Sequence, residues 1–129
     1  PTGALYEVRG GPVGAPFVLP DGYAAARAAL CDRFPSARDG IASVIGEMEK
    51  IATGLGVLSQ GRAAFRDPWE ALSALMKLGP VVRGWRLSLG QRFARAFGGD
   101  EAVKCALAAN LPYWHDDPDT LSWVLFAVV

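Results

Sequence analysis

Apolar residues recur at helical spacing over most of the chain and at strand spacing only near its start. The longest helical pattern covers residues 37–58, where Ile41, Val44, Ile45, Met48, Ile51, Ala52, Leu55 and Leu58 step by threes and fours. These positions make one stripe, with Glu47, Glu49 and Lys50 off it. At 1.5 Å per residue such a helix spans about 30 Å, enough to cross a small domain. Gly54 and Gly56 fall in its final turns and are each expected to weaken them by about 1 kcal/mol relative to Ala. A shorter helix over residues 22–33 precedes it, with Tyr23, Ala26, Ala29 and Leu30 inward and Asp21 placed to cap it. Phe34-Pro35 separates the two, and Ser36 restarts the helical run.

A polar connector over residues 60–67 follows. Pro68 then sits where a first-turn proline belongs, with Asp67 as its cap. The pattern of the next helix, residues 69–78, turns Trp69, Leu72, Leu75 and Met76 inward. Gly79-Pro80 is expected to interrupt it, with residues 81–87 continuing as a kinked helix. Ser88 with Gln91 forms a capping-box start, and Gly98-Gly99 stops that helix after Phe93 and Phe97, which share a face. Asp100 starts another, ended by Leu111-Pro112, with Val103, Ala106, Leu107 and Leu111 on one face. Asp117-Pro118 opens a last apolar helix over residues 121–129 that shows no closing glycine or polar tail, the pattern expected of a chain that continues. Near the start, Leu5-Tyr-Glu-Val and Phe17-Val-Leu19 read as strands around the turn Gly10-Gly-Pro-Val-Gly14. A lone hairpin is marginal in water, so its edges are expected to belong to a larger sheet. The predicted class is mainly α with a short N-terminal β-hairpin, an α+β fragment in which residues 1–20 form the hairpin and 21–129 are helical.

Composition narrows the function classes. The chain has 129 residues, which suits one domain, and 51% of them are hydrophobic, an excess that fits a helical core with apolar surface left for a partner or another domain. Thirteen basic and 13 acidic residues give zero formal net charge, which argues against bulk electrostatic capture of nucleic acid. No run of about 18 apolar residues is present to cross a membrane as a helix. Cys31 and Cys105 each lie in a helical pattern beside apolar residues and read as buried free thiols, with a disulfide as the alternative that nothing in the sequence requires. Two Cys and one His without a CxxC pair make no convincing zinc site.

Four constellations are candidates for chemistry. Gly10, Gly11 and Gly14 follow a strand, but a dinucleotide cradle needs GxGxxG between a strand and a helix, and here a second strand follows. His115 with Asp116, Asp117 and Asp119 could bind a metal or polarise a nucleophile, although carboxylates at a helix entry explain the cluster without chemistry. Residues 77–95 carry Lys77, Arg83, Arg86, Arg92 and Arg95 with no acidic residue between them, and Trp85, Leu87, Leu89 and Phe93 are interleaved. That reads as a solvated helix face over a core, with a membrane surface or a nucleic-acid groove as alternatives. Tyr113, Trp114, Trp123 and Phe126 suit core packing or the wall of an apolar tunnel.

The order of these pieces resembles the middle region of phytoene desaturase-like proteins, FAD-dependent oxidoreductases of the amine-oxidase type. The resemblance covers essentially the whole chain from Leu5. It is carried by Tyr6-Glu-Val-Arg with Phe17-Val-Leu19, by Leu30-Cys-Asp-Arg-Phe-Pro35 stepping into a long helix, by Leu89-Gly-Gln-Arg-Phe93 leading to Phe97, and by the run beginning Leu121-Ser-Trp-Val-Leu-Phe126. It implies a helical substrate or cap domain lacking the Rossmann part, in a parent that binds FAD and dehydrogenates or saturates a lipophilic, polyene- or isoprenoid-like substrate. It places no catalytic, cofactor-binding or metal residue on this stretch and implies that the stretch alone is inactive. Trp85, Phe93, Trp114 and Trp123 become candidate substrate-lining residues. The implied partners are the lipophilic small molecule, the remainder of the parent chain and the periphery of a membrane, in a cytoplasmic setting and without nucleic acid. The alternative is a stand-alone helical protein-interaction module, whose hairpin and apolar ends are completed by a partner or by self-association.

Overall fold

A computed structural model of the chain describes residues 3–61, 66–109 and 117–128. Strand β1 (Ala4–Val8) pairs antiparallel with β2 (Phe17–Pro20) across a 3-10 turn at Gly11–Val13. Among the described residues six α-helices follow: α1 (Tyr23–Arg33), α2 (Arg38–Ser59), α3 (Pro68–Gly84), α4 (Leu89–Phe97), α5 (Glu101–Leu107) and α6 (Trp123–Val128). The protein is mainly α with an N-terminal β-hairpin.

Helix α2 is the axis, packed against α1, α3, α4 and α6. Ile41, Val44 and Ile51 on its inner face are fully shielded from solvent, as the apolar stripe predicts. In the last turns the buried face shifts to Gly54 and Val57, and Leu58 is exposed instead.

The cause is α3, which reverses its expected orientation. Trp69, Leu72, Leu75 and Met76 face solvent, while Ala74, Pro80, Val81 and Gly84 are buried. The α2–α3 crossing is too close for large side chains. A Cβ on Gly54 would stand 2.5 Å from the Lys77 carbonyl oxygen and 2.8 Å from Val81 Cγ2. Small residues therefore form the contact and the large ones remain outside. Nor does Gly79-Pro80 interrupt the helix, because α3 runs through Pro80 to Gly84 with the ring on its buried side.

The helix boundaries follow local chemistry, with three corrections. Asp67 Oδ1 accepts the Trp69 N–H at 3.1 Å, and Ser88 with Gln91 closes the capping box through two bonds of 3.1 Å. At α1, however, Gly22 with φ of 91° occupies the cap position and Asp21 makes no cap bond. Helix α5 already ends at Leu107, and the Leu111-Pro112 stop lies outside the described residues. Helix α6 begins at Trp123 and not at Leu121, because Asp117 Oδ1 accepts the Asp119 N–H at 2.9 Å and shapes a turn before it. The chain then pairs with the start of α4: Leu89 N–H donates to Leu121 O and Trp123 N–H to Leu87 O, both at 2.8 Å. This stitching carries Trp123, Val124, Phe126 and Ala127 into the core, so the terminal apolar run is not an exposed end; of its large residues with a described side chain, only Leu125 is exposed.

The hairpin is a two-stranded sheet anchored by side chains rather than by further strands among the described residues. Phe17 and Leu19 are buried in the core, with the Phe17 ring 6.0 Å from that of Phe34. Arg33 Nη2 donates to Val13 O at 2.7 Å. The Tyr6 hydroxyl lies 2.9 Å from Ala106 O and 2.8 Å from Leu107 O, carbonyls of the last turn of α5.

Two glycines of α2 predict opposite effects. Gly54→Ala should destabilise the protein by about 1–3 kcal/mol through the clash with α3. Gly56→Ala, whose new Cβ meets nothing within 4 Å, should stabilise by about 0.5–1 kcal/mol; urea unfolding of both variants measures the sign.

Burial holds the Tyr6 hydroxyl above its ordinary pKa of 10.0. The folded state therefore keeps the proton that the unfolded state releases. This contribution to stability is complete below pH 10 and is lost as pH rises beyond it. Tyr6→Phe should lose less stability than the wild type between pH 9 and 11 in parallel unfolding titrations, about the range in which free tyrosine ionises.

Candidate functional site

Helix α2 presents Ser43 and Glu47 one turn apart on the side that faces α4 and α6. Glu47 Oε2 accepts from Arg92 Nε at 2.9 Å and lies 2.9 Å from Arg92 Nη2. Glu47 Oε1 accepts from the Trp123 indole Nε1–H at 2.7 Å. Arg92 Nη2 also donates to Ser43 Oγ at 2.8 Å, and the guanidinium stands 5.5 Å over the Trp123 ring. Arg92 is only 8% exposed, an uncommon burial for arginine, and its contacts show why it is tolerated: the charge is paired and hydrogen-bonded. One carboxylate thus joins three helices.

Sequence reasoning placed Arg92 on a solvated face, which the structure corrects, and set Glu47 off the apolar stripe, where it stands half-buried at the stripe's edge. The signal was present. Leu89, Arg92, Phe93 and Phe97 recur at helical spacing and all are buried, so Arg92 occupies the apolar stripe of α4. Glu47 lies between Val44 and Ile51 by steps of three and four, on the inner side of α2.

The structure separates the candidate substrate-lining residues. Trp85 is exposed. Phe93 and Trp123 lie in the core, 6.5 Å apart between ring centroids, and Phe126 stacks with Trp123 at 6.1 Å. Trp114 lies outside the described residues, as do Tyr113, His115 and Asp116. Cys31 is buried, Cys105 is half-buried, and both are free thiols. Among the described residues no group of three His, Cys, Asp or Glu is placed to hold a metal.

Two surfaces flank this node. On one side a groove of about 470 Å³ is lined by Ser43, Glu47 and Lys50 of α2, Arg83 near the end of α3, and Arg92 and Arg95 of α4. On the other, α3 displays Trp69, Leu72, Leu75, Met76 and Val82, with Trp85 just beyond its last residue, each more than half exposed. Lys77 and Arg86 lie among them in the sequence, and no acidic residue occurs between Glu70 and Asp100. The turn at residues 10–14 joins two antiparallel strands, so it does not form the strand-to-helix cradle that a flavin pyrophosphate requires.

Comparison of the chain with protein-family models, curated proteins and solved structures finds no match.

Arg92→Met strips the cation from Glu47 and should destabilise the protein by about 3 kcal/mol, near the low end for a broken buried pair because Glu47 keeps some solvent contact. The exposed neighbour Arg95→Met should stay within about 0.5 kcal/mol of the wild type in the same denaturant titration.

Proposed function

We propose that this chain is the substrate-side helical part of an FAD-dependent oxidoreductase of the phytoene desaturase-like type, acting on a lipophilic polyene- or isoprenoid-like substrate. The observation that carries the reading is the outer face of α3. Six large apolar side chains stand in solvent there, interspersed with cations. Such a face suits a lipid–water interface, where apolar side chains enter the acyl boundary and cations meet anionic headgroups. A lipophilic substrate reaches a protein from that interface. No described helix is long and apolar enough to cross a membrane, so the contact proposed is peripheral. The resemblance adds support through element order: a hairpin, then the Phe34-Pro35 step into a 22-residue helix, then α3 and the shorter α4, α5 and α6.

Bound flavin would exchange a hydride with the substrate. The turn at residues 10–14 does not fit its pyrophosphate, and the reading assigns flavin binding to other parts of the parent chain. The part proposed for these residues is to hold the lipophilic side of the site and seat it at the interface. Trp85, at the end of the α3 face, is the substrate-contact candidate best exposed to perform it.

A second reading is a stand-alone helical interaction module. It is favoured by Leu5 and Val18, exposed on the two strands of the hairpin, together with the same α3 face. The experiment that separates the two is purification from the complete reading frame, followed by absorbance before and after a reductant. The flavoprotein reading expects a flavin band that bleaches, and Trp69→Ser with Trp85→Ser should then weaken sedimentation with anionic vesicles while the band remains. A colourless, folded product that takes up no added FAD refutes this reading and leaves the interaction module.

A further inference from the structure

We propose that the groove between α2, the end of α3 and α4 is an anion site, built for a phosphate-bearing ligand with at least two negative charges. Lys50, Arg83, Arg92 and Arg95 stand on its walls, and Glu47 is the single carboxylate among them. Both Glu47 oxygens are occupied, by Arg92 and by the Trp123 indole. One cation is thereby neutralised and three remain. Among the described residues, Lys50, Arg83 and Arg95 have no ion-pair partner. Cations gathered from three helices around one concavity raise the local potential, and a multivalent anion relieves it.

The groups are the right kind for phosphate. Arginine offers planar forks that match phosphate oxygens, and lysine adds a compact point charge. Arg92 is more than nine-tenths buried and is held by Glu47 and Ser43, so one wall of the groove is fixed before any ligand arrives. The Ser43 oxygen accepts from Arg92, while its own O–H finds no acceptor among the described residues and can donate to a ligand.

A second groove shows that the imbalance is local. It measures about 530 Å³ between α1 and α2, and its Arg27 and Arg38 are balanced by Asp32 and Glu49. The anion site does not rest on the flavoprotein reading and stands or falls separately from it.

Two sources carry this chemistry, a soluble phosphorylated molecule and a phospholipid headgroup. The chain is titrated with inorganic pyrophosphate at constant ionic strength, with the Trp123 indole N–H resonance as reporter, since that group is bonded to Glu47 on the groove wall. The expected result is a saturable shift that Arg83→Gln with Arg95→Gln weakens by about tenfold or more. Both side chains are exposed, so the variant's amide spectrum should otherwise match the wild type. Lys50→Gln weakens the response independently. A response to phosphatidic acid in phosphatidylcholine vesicles but not to pyrophosphate, lost in the double variant, assigns the site to a headgroup. No response to either probe, a response equalled by sodium chloride, or one unchanged in the double variant overturns the proposal.

Discussion

The Glu47 carboxylate is the constraint around which the helices are arranged. It sits midway along α2 and receives donors from two other helices, Arg92 of α4 and Trp123 of α6. Arg92 is withdrawn from water, and its charge is tolerated because Glu47 pairs with it. Both oxygens of the half-buried Glu47 accept bonds, so α4 and α6 are each tied to α2 at this point. The aromatic cluster follows from it. With Trp123 fixed, Phe126 stacks on it, and Phe93 meets both Phe97 and Phe126 edge-on at 5.6 Å. The pairing of residues 121–123 with residues 87–89 then completes the backbone hydrogen bonds where the two helices begin.

The same arrangement divides the surface. Helix α3 approaches α2 through Gly54, and Gly84 lies where a Cβ would stand 3.0 Å from Trp123 Cδ1. Two close approaches on one side of α3 leave room there only for small residues. The large apolar side chains are turned to solvent as a result, and the unpaired cations line the groove beside the node. An apolar face and a cationic groove thus both follow from the way α3 seats.

Much of this architecture was legible in the sequence, and the exceptions share a cause. The hairpin, the Phe34-Pro35 break, the long α2 and the Ser88–Gln91 capping box follow from local chemistry, which acts within a few residues. The orientation of α3 depends on its partner. Periodicity divides a helix into faces, and hydrophobicity alone assigned the Trp69 face to the interior. The competing signal, Ala74, Val81 and Gly84 opposite Gly54, emerges only when the two helices are known to cross. Arg92 and Glu47 were hidden for a related reason: each reads as polar surface until the other is brought opposite. Of the candidate wall residues, Phe93 and Trp123 were recognisable as large aromatics on helical faces, but their shared cluster depends on the turn at Asp117 that redirects the chain.

Hydrogen exchange at the Trp123 indole N–H tests this account most directly. If the Glu47 bond holds α2, α4 and α6 together, that proton should exchange only when the protein unfolds globally, with the same opening free energy as the Ile45 and Ile51 amides of α2. Exchange as fast as that of the exposed Trp69 and Trp85 indoles would mean that Glu47 does not hold Trp123, and the central claim would be wrong.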